Sequence, residues 1–155
     1  LPLYVLLQVV VLNEVLFYSY INPFLYVILI VSLPLKTPKW FLLIYAFLLG
    51  FSIDLFSGSL GFHSTATILI AFAKPFIGKI TIPHNILGDT DEITLKKVGN
   101  KAFITFSLSL IIIHNSCLFI TEHLNISLAL FSKIMASSLV TLIIVLIAQL
   151  FKQNK

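Results

Sequence analysis

The sequence predicts an all-α integral membrane protein, a bundle of six transmembrane helices in a single domain spanning residues 1–155. Three observations carry this expectation. The chain is 59% hydrophobic and 10% charged, with a mean hydropathy of +1.07, whereas a soluble domain carries roughly a quarter charged residues. Its apolar residues come in blocks of about twenty, the length that a helix rising 1.5 Å per residue needs to cross a bilayer. Its ten basic residues, all lysine, gather in particular connections. The same composition excludes a disulfide scaffold, because the single Cys117 has no partner. It also argues against a nucleic-acid module: the net charge of +4 is distributed as membrane topology, not as a binding stripe.

Each span has its own punctuation. The first runs over residues 3–20 and stops at Ile21-Asn22-Pro23, because proline disfavours helical geometry in the residue before it. The second, residues 24–35, ends at Pro34. The third, residues 39–57, opens at Lys39-Trp40 after Thr37-Pro38, a helix-start signal with an interfacial tryptophan, and ends near Ser57-Gly58. The fourth, residues 63–80, follows Gly61 and is kinked at Lys74-Pro75. The fifth covers residues 101–121 and the sixth 126–151. The second and fourth are short for straight spans, so one of them should be tilted, re-entrant or extended into the interface. In the polar 81–100 loop, Thr90 is expected to cap a short helix. Asp91 and Glu92 would lie in its first turn, Lys96 and Lys97 in its last, and Gly99 just beyond. The first residues show no basic n-region or small-residue cleavage site, so no cleavable signal peptide is expected there.

Orientation follows from the lysines. Six spans put both termini and the 2–3 and 4–5 loops on one side. That side holds Lys36, Lys39, Lys74, Lys79, Lys96, Lys97, Lys101, Lys152 and Lys155, nine of the ten lysines. The positive-inside rule then makes both termini and the 81–100 loop cytoplasmic.

Ionisable residues within spans are costly, and each marks a functional site by default. Glu14, Asp54, His114 and Lys133 are the candidates. Helix rise puts Asp54 roughly 22 Å and His114 roughly 20 Å above the inner face, with Lys133 roughly 10 Å below the outer one. Together with Glu14 they form an outer polar layer, joined by Asn115, Ser57, His63 and Ser64. Gly50, Asp54 and Gly58 recur at intervals of four, and with Gly61 they mark positions of close helix packing. An Asp54–Lys133 ion pair would remove two uncompensated charges, with Glu14 as the rival partner for the lysine. A serine–histidine hydrolase built from Ser57, Ser59 or Ser64 is the weaker reading, since serines are ordinary in membrane helices and Ser57–Gly61 also reads as a tight turn. The four histidines show no metal-ligand spacing, and no phosphate-binding glycine loop is present. No catalytic, cofactor or metal residue is expected.

Several stretches resemble one family. They are Ile21-Asn22-Pro23-Phe24, Leu33-Pro34-Leu35-Lys36-Thr37-Pro38-Lys39-Trp40, Gly50-Phe51-Ser52-Ile53-Asp54-Leu55-Phe56-Ser57 and Leu60-Gly61-Phe62-His63-Ser64-Thr65-Ala66-Thr67. With Lys74-Pro75-Phe76, Ile113-His114, Leu118-Phe119, Glu122 and the Lys133, Ser137, Ser138, Thr141 stripe, they are similar to the rod shape-determining protein MreD family. The resemblance implies a non-enzymatic scaffold of the bacterial cell-elongation complex, multi-pass in the inner (cytoplasmic) membrane. It would support peptidoglycan synthesis and rod shape by binding MreC directly, in a complex with MreB, RodA and a class B penicillin-binding protein, and would also contact membrane lipid. That family is similar in architecture to the substrate-binding S-components of energy-coupling-factor vitamin transporters, so the six-helix fold is expected to be S-component-like. An S-component is therefore the alternative function. Against it, the first span has none of the alanines of an Ala-x-x-x-Ala docking face.

Overall fold

A computed structural model of the chain describes residue 8 and residues 21–87, 92–123 and 127–153. Within them the regular structure is helical: α1 (Val27–Val31), α2 (Lys39–Ser57), α3 (Phe62–Thr81), α4 (His84–Leu87), α5 (Leu95–Val98), α6 (Asn100–His123) and α7 (Leu128–Gln153). The expected first span at 3–20, apart from Gln8, lies outside the described residues, and so does Glu14.

Among the described residues three helices are long and apolar enough to cross a membrane: Lys39–Ser57, Asn100–Glu122 and Leu128–Phe151. The distribution of side chains says the same. On α2 the large residues Trp40, Ile44, Phe47, Leu48, Phe51 and Leu55 are exposed, while Leu42, Ala46, Leu49 and Ile53 are buried. On α7 Phe131, Met135, Leu139, Ile143 and Ile147 form another exposed stripe. Asp54, His63, Lys74, His114, Asn115 and Gln149 are buried instead. An apolar exterior around a polar interior is wrong for water and right for lipid.

Local signals define the ends of α2 and α3. Pro38 precedes α2 and its carbonyl accepts the Leu42 N–H at 3.0 Å, so the ring's missing donor costs nothing there. Gly58, at φ 65°, lets the chain leave α2 in a left-handed turn, with the Gly58 and Ser59 N–H groups both on the Asp54 carbonyl. After Gly61, at φ 90°, α3 runs antiparallel to α2. It carries Pro75 inside and ends at Ile82, ahead of Pro83. α3 is the central helix, packed along its length against α2 on one side and α6 on the other, and α6 in turn packs on α7. Gly50 permits the α2–α3 approach: a Cβ there would meet Thr67 Oγ1, with Ser64 Cα at 2.5 Å and the His63 carbonyl oxygen at 2.7 Å.

Three expectations need correction. The second span is not a helix across residues 24–35. Only Val27–Val31 is helical, the residues before it turn through i→i+3 bonds from Val27, Ile28 and Leu29, and Pro23 and Pro34 bound the segment. Phe24, Leu25, Tyr26, Val27, Ile28, Ile30 and Val31 are all buried, so this piece is a plug lodged against α3 and α6 with no lipid-facing stripe. Gly58 and Gly61 are turn glycines rather than close-packing ones, since a Cβ at either meets nothing within 4 Å. In the polar loop the helix is capped by Thr94, which accepts from Lys97 N, and covers Leu95–Val98. Glu92 thus precedes the cap, while Thr90 and Asp91 lie outside the described residues.

Candidate functional site

The plug creates the site, because a broken helix exposes backbone groups that lipid cannot satisfy. Such backbone is tolerated at membrane depth only when protein covers it and supplies partners. Here side chains from other elements do so. Gln8 straddles the chain, donating to the Pro23 carbonyl at 2.9 Å and accepting from Leu25 N at 2.8 Å. Ser137 and Thr141, one turn apart on α7, accept from Asn22 N and Phe24 N, each at 3.2 Å. At the other end Lys74, only 1% exposed, donates from Nζ to the Ile30 carbonyl at 2.7 Å and to that of Leu33. Gln149 Nε2 donates to Ser32 Oγ at 2.8 Å. Lys74 is therefore a cap on the carbonyls at and just beyond the end of α1 rather than a loop charge. That leaves eight of the nine lysines assigned to the basic side as topological charges.

Above this the polar layer closes around Tyr26, whose side chain is fully buried. Its hydroxyl lies 2.7 Å from His63 Nδ1 and 2.8 Å from His114 Nε2. His114 Nδ1 is 3.0 Å from Asn115 Oδ1, and Asn115 Nδ2 donates to Ser138 Oγ at 3.0 Å. These distances assign the protons for neutral imidazoles. An amide oxygen only accepts, so His114 carries its proton on Nδ1 and accepts at Nε2 from the tyrosine. The tyrosine oxygen then accepts from His63 Nδ1–H. One directed chain results, His63 to Tyr26 to His114 to Asn115 to Ser138, tying α3, the plug, α6 and α7 together. Phe24 packs edge-on against His63 and tilted against His114, at centroid distances of 5.9 and 5.3 Å.

Asp54 belongs to the layer but does not pair with Lys133. Its carboxylate accepts from His63 N at 3.1 Å, Ser64 N at 2.9 Å, and the hydroxyls of Ser59 and Ser64. Four donors on two oxygens, two of them from the first turn of α3, stabilise the carboxylate as a helix-terminal anion. The expected ion pair is corrected accordingly. The Lys133 ammonium lies 4.6 Å from the Phe119 ring centroid, in cation–π geometry.

Of the sequence candidates, Asp54, His63, Ser64, His114 and Asn115 come together. Lys133 stands beside them on Phe119. The serines expected of a hydrolase serve the aspartate: Ser59 and Ser64 donate to Asp54, while both histidines face Tyr26. Tyr26 and Gln8 are not among the sequence candidates, and Lys74 is among them only as a charge of the basic side and a kink. The available signals were two prolines, Pro23 and Pro34, bounding a ten-residue apolar run, and a lysine placed directly before an intrahelical proline.

Fold and site define a helical membrane protein in which a buried network of polar side chains surrounds a broken segment. Set against protein-family models, curated proteins and solved structures, the chain matches none of them.

Proposed function

We propose that this protein is a non-enzymatic, multi-pass scaffold of the bacterial cell-elongation machinery, holding MreC in the inner membrane and acting with MreB, RodA and a class B penicillin-binding protein. In this reading residues 3–20 supply the first of six crossings, the broken plug being the second, and both termini are cytoplasmic. The motif resemblance supplies the family. One structural observation supports the scaffold role: Tyr26, His63, His114, Asn115 and Ser138 hydrogen-bond to one another, and Asp54 accepts from Ser59, His63 and Ser64, all inside the protein. A catalytic or transport site needs polar groups that converge on a ligand, and these converge on each other. Function then falls to the exterior, where large apolar side chains stand ready for a partner helix.

Co-purification with MreC tests this. Tryptophan placed singly at the exposed positions of α2, α3 and α7 should abolish co-purification at one contiguous face and leave it intact elsewhere. Retention at every position would refute the mechanism. Binding of a vitamin together with association with an ATPase pair would instead establish the S-component alternative.

A further inference from the structure

The inner end of the molecule carries a second feature that the scaffold reading does not use. Where α3 ends and α6 begins, a cavity of about 590 Å³ is lined by Ile80, Thr81, Pro83, Val98 and the first turns of α6, including Asn100, Lys101 and Thr105. Thr81 and Thr105 donate their hydroxyl protons to their own helix, to the Ile77 and Lys101 carbonyls at 2.8 and 2.9 Å. The donors left to face an occupant are the Lys101 ammonium and the Asn100 amide. They are joined by the opening N–H groups of α6, whose ladder begins with Phe103 N on the Gly99 carbonyl at 3.0 Å. Lys79, Lys96 and Lys97 are exposed on neighbouring turns. The walls opposite are apolar, from Ile80, Val98 and Ala102, and Ile80 is 84% exposed. The cavity also sits at the start of the candidate span Asn100–Glu122, hence at the edge of the hydrocarbon.

We propose that this cavity binds the phosphate-bearing headgroup of an anionic phospholipid, with Lys101 and the α6 terminus on the phosphate and Ile80, Val98 and Ala102 against the glycerol and upper acyl chain. Basic donors alone would suit any phosphate. The apolar wall at the end of a membrane span selects one that carries a chain, and juxtamembrane lysine clusters attract acidic lipid.

The test uses the full chain in neutral detergent, titrated with phosphatidylglycerol, phosphatidylcholine or inorganic phosphate, with thermal unfolding as the readout. Phosphatidylglycerol should raise the midpoint, and the other two should not. Lys101→Gln should weaken the apparent affinity about fivefold, from roughly 1 kcal/mol per juxtamembrane lysine. Thr105→Trp, at an exposed position, should fill the cavity and remove the lipid response while leaving the lipid-free midpoint near wild type. Lys39→Gln, at a residue that lies against Pro75 and Phe76 and does not line the cavity, should change nothing. An equal response to inorganic phosphate would overturn the lipid assignment, and an equal loss in Lys39→Gln would reduce it to diffuse surface charge. Stabilisation by polyglutamate with none by phosphatidylglycerol would make the cavity a site for an acidic protein segment and refute the proposal.

Discussion

Replacing Tyr26 by phenylalanine isolates the centre of the polar layer, because it removes one oxygen and leaves the ring's packing in place. That oxygen accepts from His63 Nδ1 and donates to His114 Nε2, at 2.7 and 2.8 Å. Both imidazole nitrogens lose their partner at once. A buried polar group left unsatisfied costs about 1–3 kcal/mol, giving a ceiling near 6 kcal/mol for the pair. Hydrogen bonds within membrane bundles average only about 0.6 kcal/mol, because the unfolded state in the membrane finds partners too. Here relaxation is restricted: His114 is fully buried, with its other nitrogen committed to Asn115. A loss of about 2–4 kcal/mol is therefore expected. Reversible unfolding in mixed micelles measures it, with Tyr45→Phe as the control. A companion cycle with His114→Leu should show coupling, since the two substitutions remove the same bond. A loss below about 0.5 kcal/mol would show that the chain of bonds does not hold the plug, and the reasoning would fail.

Other substitutions separate the remaining contacts. Gly50→Ala drives a Cβ into the backbone of α3 at Ser64 and His63, so it should cost about 1–3 kcal/mol by forcing α2 and α3 apart. Gly58→Ala meets nothing within 4 Å and should cost about 1–2 kcal/mol through its positive φ alone; denaturation midpoints of the pair give the ranking. Asp54→Lys should lower folded yield, and adding Lys133→Asp should not rescue it, because the donors to Asp54 are the hydroxyls and N–H groups at the start of α3; recovery of yield in the double variant would restore the ion pair. Lys74→Met strands the Leu33 carbonyl and leaves that of Ile30 with only the Leu33 N–H at 3.3 Å, so it should speed amide exchange across residues 27–33, at a cost of about 1–3 kcal/mol; unchanged exchange there would show that the ammonium is not the cap.

How much of this was legible depends on whether the deciding partner was local in sequence. The third span was read as residues 39–57 and is Lys39–Ser57, because Pro38 and Gly58 act within a residue or two of the boundary. α3, α6 and α7 lie within two residues of expectation at each end for the same reason. The 24–35 run failed because an apolar stretch of twelve residues looks alike whether lipid or protein covers it, and only its length and bounding prolines argued for the latter. Asp54 is legible in the sequence as a buried charge, but the cation expected for it, Lys133, lies about two helical turns into another span. Its actual donors arise when the chain reverses at Gly58 and Gly61 and brings a helix N-terminus onto the carboxylate, a charge no residue letter carries. Lys74 failed by the opposite route. A lysine beside a proline at the end of a span looks like a loop charge, and its real acceptors are carbonyls freed by a helix that the sequence reading did not know was broken. The two misses are thus one: the shortness of the 24–35 segment pointed to a tilted or re-entrant span but not to a broken one, and so not to the unsatisfied backbone that Lys74, Gln8, Ser137 and Thr141 bind, which is the reason for so much polarity inside so apolar a chain.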